Sequence, residues 1–177
     1  MTKLRTFLDM VRFEHTIFAL PFAYLGMMLA ANYPPATEGV RFPTWHQFIW
    51  ITIAMAAART LAFAINRYAD RAYDARNPRT ADRPIPTGRL SPGATLAYGA
   101  VALVVLTFAA WQLNELALKL LPGAIALLAV YSYTKRFTWL SHWVLGATDG
   151  LAPAGAWVAV RAAVDPCLLY TSDAADD

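Results

Sequence analysis

Cysteine occurs once in the 177 residues, at position 167, so the chain holds neither an internal disulfide nor a multi-cysteine zinc site. Histidine is nearly as scarce. His15, His46 and His142 lie far apart without metal-ligand spacing, and interface or core positions suit them better than a metal centre. Net charge is also small, +3, and the basic residues sit in short local clusters, which points to membrane topology and away from nucleic-acid binding. What the chain has in quantity is apolar surface. Hydrophobic residues make up 58% and the mean hydropathy is +0.38, above the roughly 45–50% apolar content of soluble domains even with glycine counted. The composition is that of an integral membrane protein.

Lys3, Arg5 and Arg12 precede the first apolar run, as they would in a signal peptide. The run over residues 16–31 is longer than a typical signal core and no convincing small-residue cleavage site ends it, so a retained first span is predicted. Residues 32–47, with Pro34, Pro35, Gly39 and Pro43, read as a loop. A second span begins near residues 45–50, anchored at the interface by Trp45 and Trp50, and runs to about Ile65. Its alanine-rich middle, 54–58, permits close helix packing. The same helix is expected to continue through residues 66–74 into a basic loop over 75–91. Further spans are predicted at about 93–111, 118–133 and 141–160, giving an all-α, polytopic transmembrane helix bundle of about five spans. Lysine and arginine gather in the N-terminal segment, in the 67–89 loop and at Lys135–Arg136, which places those segments in the cytoplasm.

The most informative stretch is 59–88, where an apolar helix runs into a cluster of carboxylates. Asn66, Asp70 and Asp74 are four residues apart, so on a helix they drift only about 40° per step and form one polar stripe. Two carboxylates and an amide carbonyl at that spacing offer hard oxygen ligands. Mg2+ is commonly held by one or two carboxylates together with substrate phosphates. The competing reading is a solvated helix end, with Arg67 and Arg71 as weak surface ion-pair partners. Beyond the stripe, Asn77, Pro78, Arg83, Pro84, Ile85, Pro86 and Gly88 build a stiff, basic loop that cannot be helical throughout.

This run resembles the first aspartate-rich motif of the UbiA family of membrane prenyltransferases, N-x-x-x-D-x-x-x-D followed by a basic R-P-I-P-x-G loop. The segment from RFEHTIFALPFAYLG to YSYTKRFTWLSH is similar to the 4-hydroxybenzoate polyprenyltransferase-like branch, which includes relatives acting on naphthoate-type acceptors. The resemblance implies a typically nine-helix fold that transfers a polyprenyl group from its diphosphate to an aromatic acid in ubiquinone or menaquinone biosynthesis. It also implies Mg2+ as cofactor, held by Asn66, Asp70 and Asp74, with Asp70, Asp74 and Lys135 catalytic. Tyr131 and Lys135 match a Y-x-x-x-K element that neutralises the diphosphate, and with Asn66 and the loop residues Arg79 and Arg83 they form the implied substrate-binding set. Read without the family, Tyr131 and Lys135 are equally an interfacial snorkelling pair, and Arg79 and Arg83 equally a positive-inside signal. Arg12 and His15, at the start of the first span, approach headgroups as readily as an aromatic substrate.

Expectations about the end of the chain follow. The family's second aspartate motif has no counterpart here, so residues 1–165 are expected to be the N-terminal part of the domain and inactive alone. Residues 166–177 read as a non-native tail, with 167–177 resembling a translated sequencing adapter. Asp173, Asp176 and Asp177 therefore stand in for nothing. The oligomeric state is not legible. The alternative function is an ion or proton transporter, which would place its ionisable site near the midplane, whereas this stripe stands at a helix end. Deeper in the membrane, Arg59 lies about 10 Å below Asn66 and Asp149 about 13 Å below the start of the fifth span at 1.5 Å per residue, so the two are expected to approach directly or through one water, the equal alternative being that each finds its own hydroxyl or water, such as Thr148 for Asp149.

Overall fold

The computed structural model describes residues 5–7, 13–33, 41–134 and 141–164. Five long helices follow one another up and down: α1 (Phe13–Ala31), α2 (Trp45–Asp74), α3 (Pro92–Leu113), α4 (Glu115–Thr134) and α5 (Ser141–Arg161). Local chemistry sets their starts. Thr44 caps α2 in a capping box, its Oγ1 accepting from the Gln47 N–H at 3.2 Å while Gln47 Oε1 accepts from the Thr44 N–H at 2.9 Å. Ser91 caps α3 through its Oγ, which accepts from the Ala94 N–H at 3.2 Å, with Pro92 at the first helical position, where a missing N–H costs nothing.

Helices α2, α3 and α4 are long and apolar enough to cross a membrane. The described apolar part of α1 covers 19–31 and is shorter. Helix α5 falls short of that apolarity because His142, Asp149 and three glycines dilute it, so three of the five expected spans stand on composition alone. At 30 residues α2 is about 45 Å long against a hydrocarbon layer of about 30 Å, so its last turns project beyond the apolar slab. Those turns carry Asn66, Asp70 and Asp74. The prediction that one helix carries both the second span and the polar stripe matches the observed α2.

Helix α2 lies along α3 and α1 along α5, with α4 touching both α3 and α5. Small residues make these approaches possible in a medium where apolar side chains gain little by leaving lipid. A Cβ on Gly99 would stand 3.1 Å from that of Ala64, and Ala57, Leu61, Ala102 and Leu106 form one buried cluster between α2 and α3. Between α1, α2 and α5 the cluster is Ala23, Met27, Ile51, Ala156 and Ala159. The hydroxyls of Tyr24 and Thr52 are hydrogen-bonded across the α1–α2 contact at 2.9 Å.

The end of the bundle remote from the stripe is fastened by Asn114. Its Nδ2 donates to the carbonyls of Val158 and Ala159 in the last turn of α5, at 2.8 and 3.0 Å, while its Oδ1 accepts from the Ala117 N–H at 2.8 Å. One amide thus caps α4 and adds a donor to the last turn of α5, where the Val158 carbonyl also accepts from the Ala162 N–H at 2.9 Å. Asn114→Ala is expected to destabilise the bundle by about 1–3 kcal/mol, measured by equilibrium unfolding in mixed micelles. A change within error would show that the clasp is incidental. At the opposite end Phe7 is buried against Ala64 and Leu90, with the Tyr98 ring at 4.5 Å, so the loop after α2 closes onto the N-terminal segment.

Candidate active site

The stripe is positioned by α2 and covered by the loop behind it. Asp74, the last residue of α2, is only 6% exposed, and its Oδ1 accepts from Arg83 Nη1 at 2.7 Å. The loop folds back through a chain of turns, ending with Leu90 N–H donating to the Pro84 carbonyl at 2.9 Å. Gly88 has φ +73°, a conformation an L side chain resists, which explains the glycine of the R-P-I-P-x-G run. Apolar burial of Leu90, 1% exposed, seats the far end of the loop.

The arginines near the stripe separate into different roles. Arg71 is exposed and committed to Tyr68, its guanidinium 4.2 Å from the ring centroid and Nη1 donating to the Tyr68 carbonyl at 2.7 Å. The surface ion-pair partner for Asp74 is therefore Arg83, not Arg71. Arg79 is exposed, and its backbone N–H donates to Asn77 Oδ1 at 3.0 Å. Arg89 reaches Thr87 Oγ1 at 3.0 Å and also the Asp82 carbonyl. Lys135, Arg12 and the tail 165–177 lie outside the described residues.

Beside the stripe the helices enclose a cavity of about 1030 Å3, open to the surroundings and largely apolar, with lining residues from all five helices. Its polar lining is sparse: Arg59 and Asn66 from α2, Tyr131 and Ser132 from α4, Thr148 and Asp149 from α5. Tyr131 lies within electrostatic range of both Asp149 and Asp70, so it connects the cavity with the stripe. Asn66 faces the cavity, whereas Asp74 is buried beneath the loop and Asp70 stands between them, half-buried. Arg59 and Asp149 share the cavity wall as their depths suggest, and the Arg59 guanidinium lies 5.8 Å from the Phe63 centroid. Thr148 Oγ1 donates to the Val144 carbonyl at 2.7 Å, so that hydroxyl is occupied within its own helix.

A metal can be judged against this donor set. Among the described residues no three His, Cys, Asp or Glu side chains converge. Asn66, Asp70 and Asp74 are all-oxygen donors, and the Asp74 carboxylate already holds a cationic group, so they fit the protein's share of a Mg2+ site that phosphate oxygens complete. Sequence reasoning missed Thr80, whose hydroxyl donates to the Asp74 carbonyl at 3.1 Å, and Phe7, which supports Leu90. No spacing signal marks either; only the folded loop brings them there.

Comparison with known proteins agrees with this arrangement. The model of the UbiA prenyltransferase family matches residues 19–172. The 4-hydroxybenzoate octaprenyltransferase of Tolumonas auensis is 34% identical over 125 residues, 71% of this chain and 43% of that protein. That of Herminiimonas arsenicoxydans is 33% identical over 144 residues, covering 74% and 50%. The chain thus spans about half the length of the curated relatives it matches. The apo structure of a UbiA homolog from Aeropyrum pernix K1 superposes with a TM-score of 0.76 at 34% identity, over 89% of this chain and 55% of that one. A UbiA homolog from Archaeoglobus fulgidus, bound to GPP and Mg2+, shares the fold at 22% identity and a TM-score of 0.71, over 94% and 58%. With the family model covering most of its length, and with a helix-end aspartate stripe beside an apolar cavity, this multi-pass membrane chain belongs to the UbiA prenyltransferase family.

Proposed function

We propose that the whole protein transfers a polyprenyl group from polyprenyl diphosphate to an aromatic acid of the 4-hydroxybenzoate type, a step of quinone biosynthesis, and that residues 1–165 are its N-terminal part. The observation that carries this reading is that the Asn66–Asp70–Asp74 stripe meets the cavity at Asn66, which lines it together with Tyr131. The names of the relatives and the GPP and Mg2+ in the Archaeoglobus structure support it.

In the reaction the allylic C–O bond to diphosphate breaks, a C–C bond to the aromatic ring forms, and the ring loses a proton. When bound, Mg2+ would supply Lewis-acid stabilisation of the negative charge developing on the leaving diphosphate. Asp70 and Asp74 would hold it, and Asn66 would ligate it or orient a ligand. Lys135, four residues after Tyr131 in the sequence, and Arg79 would offset phosphate charge. The apolar wall, with Ala62, Phe63 and Leu128, receives the prenyl chain and keeps water from the allylic cation. By itself the chain carries half of the metal cage and is expected to be inactive. The basic loops support a stripe on the cytoplasmic face of the inner membrane, where a soluble aromatic acid and Mg2+ are available.

The test is to supply membranes containing the whole protein with prenyl diphosphate, Mg2+ and a panel of aromatic acids. Prenylated acid is expected for a 4-hydroxybenzoate-type acceptor, and none without Mg2+. Ion or proton flux without any prenylated product would favour a transporter instead.

The wall residues Arg59 and Asp149 give a second expectation. A charge at the centre of a span costs about 2.5–3.5 kcal/mol on insertion scales, so the two relieve each other if they approach directly or through one water. A double-mutant cycle on Arg59→Met and Asp149→Leu is expected to show a coupling of about 1 kcal/mol or more in unfolding experiments. Strictly additive losses would reject the pair.

A further inference from the structure

Asp74 is tied to the following loop twice. Arg83 Nη1 donates to its Oδ1 at 2.7 Å and the Thr80 hydroxyl donates to its backbone carbonyl at 3.1 Å. Both Asp74 and Thr80 are 6% exposed, although they lie on the part of α2 and the loop that stands beyond the apolar slab. As the last residue of α2, Asp74 also sits at the negative end of the helix dipole, where a carboxylate is least favoured. Arg83 is a third exposed, and ion pairs at or just below the surface give little net stability, so stability alone is a poor reason for a carboxylate here. The pair is therefore a candidate for a role in binding.

The geometry says which role. The hydrogen bond of the pair runs from Arg83 Nη1 to Asp74 Oδ1, so it restrains the carboxylate through that oxygen. Arg83 is in turn held by its own turn, its carbonyl accepting from the Thr87 N–H at 3.1 Å and from the Thr87 hydroxyl at 2.8 Å. We propose that Arg83 is a positioning residue: through Oδ1 it orients the Asp74 carboxylate so that Oδ2 ligates a divalent cation, and it thereby couples cation binding to closure of the 75–90 loop. This rests on the metal reading given above. It also shifts Arg83 away from direct phosphate binding, since its guanidinium is engaged by Asp74. Coupling is reciprocal, so a bound cation must steady the loop as much as the closed loop favours the cation.

Trypsin reads the loop directly. Arg76 and Arg79 are exposed cleavage points, whereas Arg83 precedes Pro84 and is resistant, so substitution at 83 removes no site. The whole protein in lipid nanodiscs would be titrated with Mn2+ in the presence of inorganic pyrophosphate, with bound Mn2+ followed by electron paramagnetic resonance and cleavage at 76 and 79 by mass spectrometry. Mn2+ is expected to slow cleavage of the unsubstituted chain. Arg83→Gln should raise the half-saturating Mn2+ concentration about tenfold, as loss of an outer-shell partner does, and Arg83→Lys should recover part of that. Thr80→Val loosens the loop without touching the carboxylate, so it should speed cleavage yet move the Mn2+ midpoint less than Arg83→Gln. Helical circular dichroism confirms that each variant folds. An unchanged midpoint in Arg83→Gln, equal shifts from Thr80→Val and Arg83→Gln, or faster cleavage of the unsubstituted chain on adding Mn2+ would each overturn the proposal. If the unsubstituted protein shows no Mn2+ response, or Asp70→Asn responds as the unsubstituted protein does, the metal reading itself fails and the role of Arg83 falls with it.

Discussion

Asp70→Ala in the whole protein is expected to lower Mg2+-dependent prenyl transfer by about 10²–10³-fold while membrane insertion and helix content persist. Asp70 lies on the part of α2 that extends past the apolar slab, so losing its carboxylate removes no membrane-spanning surface. It is half-buried and within electrostatic range of Tyr131, which places it between the cavity and the loop-covered Asp74. A ligand at that point acts on charge that grows as the diphosphate departs, so the loss should fall on kcat more than on KM. Asp74→Ala is the poorer test because it also releases Arg83 and the loop. Transfer by Asp70→Ala within a few-fold of the unsubstituted protein would remove Asp70 from the site.

Gly26→Val is expected to cost about 3 kcal/mol, the upper part of the range for overpacking a close contact. A Cβ at Gly26 would lie 2.4 Å from the Pro153 carbonyl oxygen and 2.7 Å from its Cα, both backbone atoms that cannot swing aside. The contact is possible because α1 and α5 approach backbone to backbone. Pro153 contributes to it. Lacking an N–H, Pro153 cannot donate to the Asp149 carbonyl four residues back, which relaxes α5 at that turn. Gly146 is the control, since a Cβ there meets nothing within 4 Å and Gly146→Val should be nearly neutral. Unfolding in mixed micelles gives both values, and equal stability of the two variants would show that α1 and α5 separate without penalty.

The parts of the molecule that were legible in the sequence are those set by local rules. The four-residue spacing of Asn66, Asp70 and Asp74 put them on one face of a helix, and the long α2 carries them there. The proline and glycine of the R-P-I-P-x-G run announced a folded turn, and Gly88 adopts the positive φ that only such a residue accepts easily. What local periodicity leaves open is the partner. Arg71 and Arg83 were equally available to the carboxylates on charge alone, and the choice was made by Tyr68, which takes Arg71, and by Thr80, which draws the loop over Asp74. The reach of Asn114 across 44 residues to Val158, and the fit of Gly26 against Pro153, are long-range facts that no window of sequence contains. Helix α5 was read as a span like the others, but its polar and glycine content suits a helix that packs against α1 and lines a cavity more than one exposed to lipid.

The claim at the centre of this account is that a prenyl diphosphate binds with its head at the α2 stripe and its chain in the adjoining cavity. Photo-crosslinking with a photoactivatable prenyl diphosphate in membranes containing the whole protein, mapped by mass spectrometry, tests it most directly. The account predicts label on cavity residues such as Ala62, Phe63 and Leu128, lost on chelating Mg2+ and in Asp70→Ala. Label confined to the outward residues Val101, Val104 and Phe108 of α3, and indifferent to both treatments, would contradict it.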